Sequence, residues 1–256
     1  MRALLALALA FAVLVPRAAA QAPTVAAAAD LQYALAEIAD AYRRDTGNDV
    51  RIAFGSSGNF AQQIEHGAPF ELFLSADEAY VERLVAQGLA RDAGSLYAIG
   101  RVALFVPHGS PLAADATLAD LKLALREGRV KRFAIANPEH APYGRAAREA
   151  LRRAGLWDAI SPALVLGENA SQATQFAAGG STQGGIVPWS LARAPAVAKL
   201  GTAALLPADW HAPLRQKMVL LKSATPRAVA FRDYLGSPEA RRIFVRYGFV
   251  LPGEAG

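Results

Sequence analysis

Residues 53–65 read Ala-Phe-Gly-Ser-Ser-Gly-Asn-Phe-Ala-Gln-Gln-Ile-Glu. An apolar, β-prone approach (Val50, Ile52, Phe54) ends in Gly55-Ser56-Ser57-Gly58, and a helical pattern follows at once. A strand that turns through small hydroxyl residues into a helix leaves several backbone N–H groups without acceptors. Those donors, two serine hydroxyls and the positive end of the helix dipole converge on one point. Such a turn is built to hold a small anion without any charged side chain.

The flanking sequence repeats the same unit. Thr24–Ala28 is a short apolar strand, and Leu31, Leu35, Ile38 and Tyr42 then form one stripe of an amphipathic helix. Asp30 stands where a helix N-cap is expected. Phe70–Ser75 is a further strand, with a helix from Glu78 to Gln87. Strands at 96–99 and 102–106 and the Pro107–Pro111 turn precede a second set of elements. That set has helices near 118–126, 144–154 and 171–178, with strands at 133–136, 163–166, 185–187 and near 203–206. A strand at 215–221 and helices at 226–235 and 238–247 complete the chain. Alternating strands and helices predict parallel sheets covered by helices. The alternation breaks at two long apolar strands, Val102–Val106 and Met218–Leu221. If one crosses outward and the other returns, the chain forms two lobes that close by hinge bending. Lobe 1 is then discontinuous, 21–104 with 215–256, and lobe 2 is 105–214.

Ligands of open α/β sheets sit beyond the carboxyl ends of strands. Three further strand-to-helix turns lie there: Ala26–Asp30, Asn137–Gly144 and Glu168–Ser171. Two of the four turns come from each lobe, so a shared site belongs in the cleft between them.

Residues 1–20 read as a secretory leader. Arg2 precedes the apolar run Ala3–Val15, Pro16 ends it, and Ala18-Ala19-Ala20 is a small-residue cleavage pattern. Cleavage after Ala20 leaves about 236 residues, enough for two lobes with a sizeable core. The chain has no cysteine, which excludes both disulfides and an N-terminal lipidated cysteine. Of the formal charge of +5, Arg2 and Arg17 fall in the leader. The remaining arginines are scattered over helix surfaces rather than gathered with aromatics, so nucleic-acid binding is not expected.

Several segments resemble the periplasmic molybdate-binding proteins of ABC transporters. They are Ala-Ala-Ala-Asp-Leu (27–31), Phe-Gly-Ser-Ser-Gly (54–58), Gln-Gln-Ile-Glu-x-Gly-Ala-Pro (62–69) and Leu-Ser-Ala-Asp (74–77). Asn-Pro-Glu-His-Ala-Pro-Tyr-Gly (137–144), Gly-Gly-Ile-Val (184–187) and Arg-Tyr-Gly-Phe (246–249) extend the likeness over the mature chain. The resemblance implies a type II periplasmic-binding-protein fold, two α/β lobes joined by two crossing strands. It implies a monomeric periplasmic receptor that holds molybdate or tungstate through its oxygens and delivers it to a membrane permease. No cofactor and no direct metal coordination by protein are expected. Carried over by position, Ser57 matches a family serine that binds the oxyanion. Tyr143 and Ala170 match residues that offer backbone N–H groups. Asp30 stands where the family has a second serine, and Pro188 where it commonly has a closing tyrosine. Tyr143 could supply the hydroxyl that Pro188 lacks.

Asp30 sets a physical problem, because a carboxylate facing a dianion is repulsive. The cost is about 1 kcal/mol at 4 Å in water and several times that in a closed cleft. Three resolutions are open: the carboxylate caps helix N–H groups, it accepts a proton from a protonated oxyanion, or it coordinates the metal atom directly. The second favours phosphate-like ligands, and a phosphate or sulfate receptor is the alternative within the same fold. An exported hydrolase using Ser57 is the alternative from another class. It has little support, since Gly55–Gly58 lacks the Gly-x-Ser-x-Gly pattern and His66, His108, His140 and His211 are dispersed. His140 is read as a hydrogen-bonder that structures its loop, and Asp77, Glu139 and Glu168 as caps or hinge contacts.

Overall fold

The computed structural model describes residues 21–253, so the leader and its cleavage site lie outside the described residues. Two five-stranded mixed sheets, each flanked by helices, make up the molecule. The chain begins with β1 (Thr24–Ala28), a 3-10 turn at Ala29–Leu31 and α1 (Gln32–Thr46). β2 (Arg51–Gly55), α2 (Ser57–Glu65), β3 (Leu72–Ser75), α3 (Glu78–Ala86) and β4 (Ser95–Gly100) follow. The chain then enters the second sheet with β5 (Val102–Pro107), α4 (Ala119–Arg126), β6 (Phe133–Ala136), α5 (Pro142–Arg153) and α6 (Trp157–Ile160). β7 (Leu164–Gly167), α7 (Ala170–Ala178), β8 (Gly185–Pro188), α8 (Trp189–Ala192), α9 (Pro195–Ala198) and β9 (Gly201–Leu205) complete that half. β10 (Leu214–Leu220), α10 (Pro226–Tyr234) and α11 (Pro238–Arg246) return to the first.

The strand orders are β2-β1-β3-β10-β4 and β7-β6-β8-β5-β9. β5 is hydrogen-bonded on one side to β8 and on the other to β9, so it is interior to the second sheet. Likewise β10 lies between β3 and β4 of the first. This corrects the expectation that Val102–Val106 and Met218–Leu221 themselves cross between lobes. Pairing on both edges holds each within one sheet. The crossings fall at Arg101, between β4 and β5, and in the segment ahead of β10.

The amphipathic stripe of α1 forms as its spacing requires: Leu31, Leu35, Ile38 and Tyr42 are all buried. They pack with Leu72, Leu74, Phe231 and Phe244 in one core, each such side chain contributing about 1.5–3 kcal/mol on burial. A separate core under α4 and α5 joins Leu104, Leu121, Phe133 and Leu151. Gly47, left-handed at φ 70°, ends α1.

Register decides where the helices start. β1 and β2 are parallel with Ala28 opposite Gly55, so their carboxyl ends are level. β6 and β7 are parallel with Ala136 opposite Gly167, and theirs are level too. The helices that follow these four strands therefore begin on two facing rims, one on each sheet.

Candidate functional site

Between the rims lies a small cavity. The first sheet supplies Ala28, Ala29, Asp30, Ser56, Ser57 and Ala76, and the second supplies Ala141, Pro142, Tyr143 and Ala170. Ser57 is the first residue of α2, Tyr143 the second of α5 and Ala170 the first of α7. First-turn N–H groups have no acceptor within their own helix. Pro142 opens α5 without an N–H to place, leaving Tyr143 as that helix's first donor. These helix N-termini and the 3-10 turn after β1 converge on a cavity with no Lys, Arg or His side chain among its lining residues.

The two serines have different roles. Ser56 Oγ donates to the carbonyl oxygen of His140, which also accepts from Gly58 N–H at 3.0 Å. His140 Nδ1 lies 3.0 Å from the same hydroxyl. Ser56 thus clasps α2 to the loop before α5. A Cβ on Gly58 would lie 2.6 Å from His140 O, so only glycine permits this approach. Ser57 Oγ instead accepts from Ala76 N–H at 3.0 Å, which leaves its own hydrogen to be donated. Other contacts tie the lobes together around the cavity. Asn59 donates to Glu168, Arg145 pairs with Asp77 and donates to Tyr80 at 2.9 Å, and Ser171 donates to Gln32.

Asp30 is 1 % exposed and does not cap a helix. The 3-10 turn that contains it has Ala28 as its N-cap, with no side-chain bond there. This corrects the capping expectation: instead of the helix, the carboxylate turns to Tyr143 and Gln216. Its Oδ2 accepts from Tyr143 Oη–H at 3.0 Å and from Gln216 Nε2 at 2.6 Å. Gln216 Nε2 also donates to Tyr143 Oη at 3.0 Å, and Tyr97 Oη–H donates to Gln216 Oε1 at 2.8 Å. The Tyr143 hydroxyl is therefore committed to Asp30 and does not replace a closing tyrosine. Asp30 Oδ1 is buried without a partner. Burial pushes the carboxyl from its ordinary 3.8 to about 6, although the bonds from Gln216 and Tyr143 pull it down. Burial, and then the Asp30 charge, hold both tyrosines well above 10.

Of the residues singled out from sequence, Asp30, Ser57, Tyr143 and Ala170 come together at the cavity. Pro188 does not line it. It ends β8 opposite Val102 and precedes α8, where Ser190 Oγ donates to the Asp30 carbonyl at 2.8 Å. Asp77 does cap α3, whereas Asn169, not Glu168, caps α7. Sequence reasoning missed Gln216, Tyr97 and Gly100. Gln216 is wholly buried in the inward-facing row Leu214, Gln216, Met218, Leu220 of β10. One amide in an apolar alternation was the available signal. A Cβ on Gly100 would lie 2.2 Å from Tyr143 Oη, so the Tyr143–Gln216 contact requires glycine there.

Comparison with known proteins bears on this geometry. Residues 23–250 match the family described as bacterial extracellular solute-binding protein. The chain is similar to the molybdate-binding protein ModA of Rhodobacter capsulatus, 37% identical over 96% of this chain and 94% of that one. It is 34% identical to the Escherichia coli K12 molybdate-binding protein ModA over 89% and 88% of the two chains. Among solved structures, the periplasmic molybdate-binding protein of Azotobacter vinelandii superposes with a TM-score of 0.80. That match has 30% identity and covers 90% of this chain and 99% of the other.

Proposed function

The chain belongs to the bacterial extracellular solute-binding proteins, and within them to the molybdate-binding proteins of type II periplasmic-binding fold; from this we propose that it captures molybdate for an ABC transporter. The observation that carries the reading is the cavity itself. Helix N-termini from both lobes and the Ser57 hydroxyl surround a space with no basic side chain. Such a site takes a small, fully ionised anion by hydrogen bonds and helix dipoles alone. Asp30, Ser57, Tyr143 and Ala170 hold the ligand, and Tyr143 and Ala170 do so through backbone N–H. Pro188 acts at a distance by starting the short helix that carries Ser190. Tungstate, of the same charge and tetrahedral shape, fits the same donors.

Capture proceeds by closure. The two sheets act as lobes, and the segments at Arg101 and ahead of β10 serve as the hinge. The contacts of His140 with Ser56, Glu168 with Asn59, and Arg145 with Asp77 form when the lobes meet. Export is directed by residues 1–20 with cleavage after Ala20, and the receptor works as a monomer that passes its ligand to a membrane permease. No chemical step is required of it.

A thermal-shift series with molybdate, tungstate, sulfate and phosphate tests the proposal. A ligand at a hundred times its Kd adds about 2.7 kcal/mol of stability. Stabilisation by molybdate and tungstate supports it, and no shift with either overturns it.

A further inference from the structure

Counting hydrogens around Asp30 fixes what its carboxyl can offer a ligand. Oδ2 already accepts two bonds, from Tyr143 Oη–H and Gln216 Nε2. Gln216 Nε2 points at Oδ2 while its Oε1 accepts from Tyr97 Oη–H, whose other acceptor in reach is the Ser75 carbonyl at 3.3 Å. In this arrangement Oδ1, the oxygen with no partner in the protein, is the one left to carry a carboxyl proton. Asp30 lines the cavity, and Oδ1 is its buried oxygen left without a partner.

We propose that Asp30 contacts the bound oxyanion as a neutral carboxylic acid, its Oδ1–H donating to an anion oxygen, so that capture of a fully ionised anion takes one proton into the site. This rests on the oxyanion reading above. A carboxylate and a dianion in one buried cavity without a cation repel strongly, and a proton between them converts that contact into a charge-assisted hydrogen bond. Among the described residues that line the cavity, none brings a cationic side chain to Asp30. Tyr143 from α5, Tyr97 from β4 and Gln216 from β10 face the carboxyl, and Ser190 from α8 faces its carbonyl. Ser57 from α2 and Ala170 from α7 complete the wall and carry no charge. Tyr33, three residues along the chain from Asp30 on α1, is a phenol. His140 and Asp77 each lie one residue from a wall residue, the first bonded to Ser56 and the second paired with Arg145. Burial raises the Asp30 carboxyl to about 6, so the proton is available near neutral pH. A serine in this position would donate at any pH. Asp30 makes the same donation conditional on pH.

The test is calorimetric titration with dilute molybdate from about pH 6 to about pH 8.5, in buffers of different ionisation heat. For the unmodified protein, affinity falls about tenfold per pH unit in the upper part of this range, and proton uptake rises toward one per anion. Asp30→Asn, whose side chain cannot titrate, shows a flat profile and no uptake. Hydrogen phosphate, where it binds, brings its own proton and shows less uptake than molybdate. Molybdate binding without proton uptake and with a flat profile in the unmodified protein would overturn this inference while leaving the oxyanion reading intact. A slope that survives in Asp30→Asn would overturn it. Failure of every tetrahedral anion to bind at any pH would overturn both.

Discussion

Replacing Asp30 by asparagine should make the ligand-free protein gain stability on its parent as pH rises above the value at which a carboxyl normally ionises. The carboxyl is 1 % exposed, and its folded value of about 6 stands above its ordinary 3.8. The folded state thus keeps its proton to higher pH than the unfolded chain. Stability contributed by this group is fully present below about pH 4, falls as pH rises through the window to about 6, and stays low above it. At about 1.4 kcal/mol per pH unit, the displacement corresponds to about 3 kcal/mol. Asparagine has no charge to bury, and its carbonyl oxygen can accept the bonds that Tyr143 and Gln216 now give Oδ2. Urea unfolding of both proteins between about pH 4 and pH 8 should show the variant gaining about 3 kcal/mol on its parent across that range. In thermal unfolding near pH 7.5 the gain corresponds to roughly 6–12 °C for a chain of this size. A constant offset of either sign does not bear on the reasoning. A difference that does not change with pH would refute it.

Ser57→Ala removes a donor from the cavity and the acceptor of Ala76 N–H. Molybdate affinity should fall about 10- to 100-fold by calorimetry, the loss of one hydrogen bond to a charged group. Gly100→Ala drives a methyl to 2.2 Å from Tyr143 Oη and 2.8 Å from Gln216 Nε2, so it should cost about 1–3 kcal/mol in urea unfolding. Tyr143→Phe leaves Asp30 with Gln216 as its one side-chain donor. The midpoint of the pH profile for molybdate should move upward, while affinity at the acid end changes by about threefold or less.

Much of the framework could be read from the chain because it is written in periodicity. The stripe Leu31, Leu35, Ile38, Tyr42 specifies a buried helix face by spacing alone, and the strand-to-helix turns mark the rims. The serine turn pointed to the site for the same reason, since a helix start without a charged residue advertises free N–H groups. The lobe crossings were less legible. Val102–Val106 and Met218–Leu221 look like exceptional strands because both are buried on two sides, and burial on two sides also describes an interior strand. Asp30 was legible as a position but not as chemistry. Whether Asp30 caps its own turn or faces Tyr143 depends on α5, more than a hundred residues away in sequence. Gln216 and Gly100 were invisible for a related reason, because their roles exist only once β4, β10 and α5 meet.

The central claim, that the cleft between the sheets holds a tetrahedral oxyanion, is tested most directly by calorimetric titration of the purified protein with molybdate near pH 6.5. The account predicts saturable binding of one anion per chain, strongly weakened in Ser57→Ala. An unmodified protein that gives no binding heat in two buffers and no thermal stabilisation by molybdate, or Ser57→Ala binding as tightly as its parent, would contradict it.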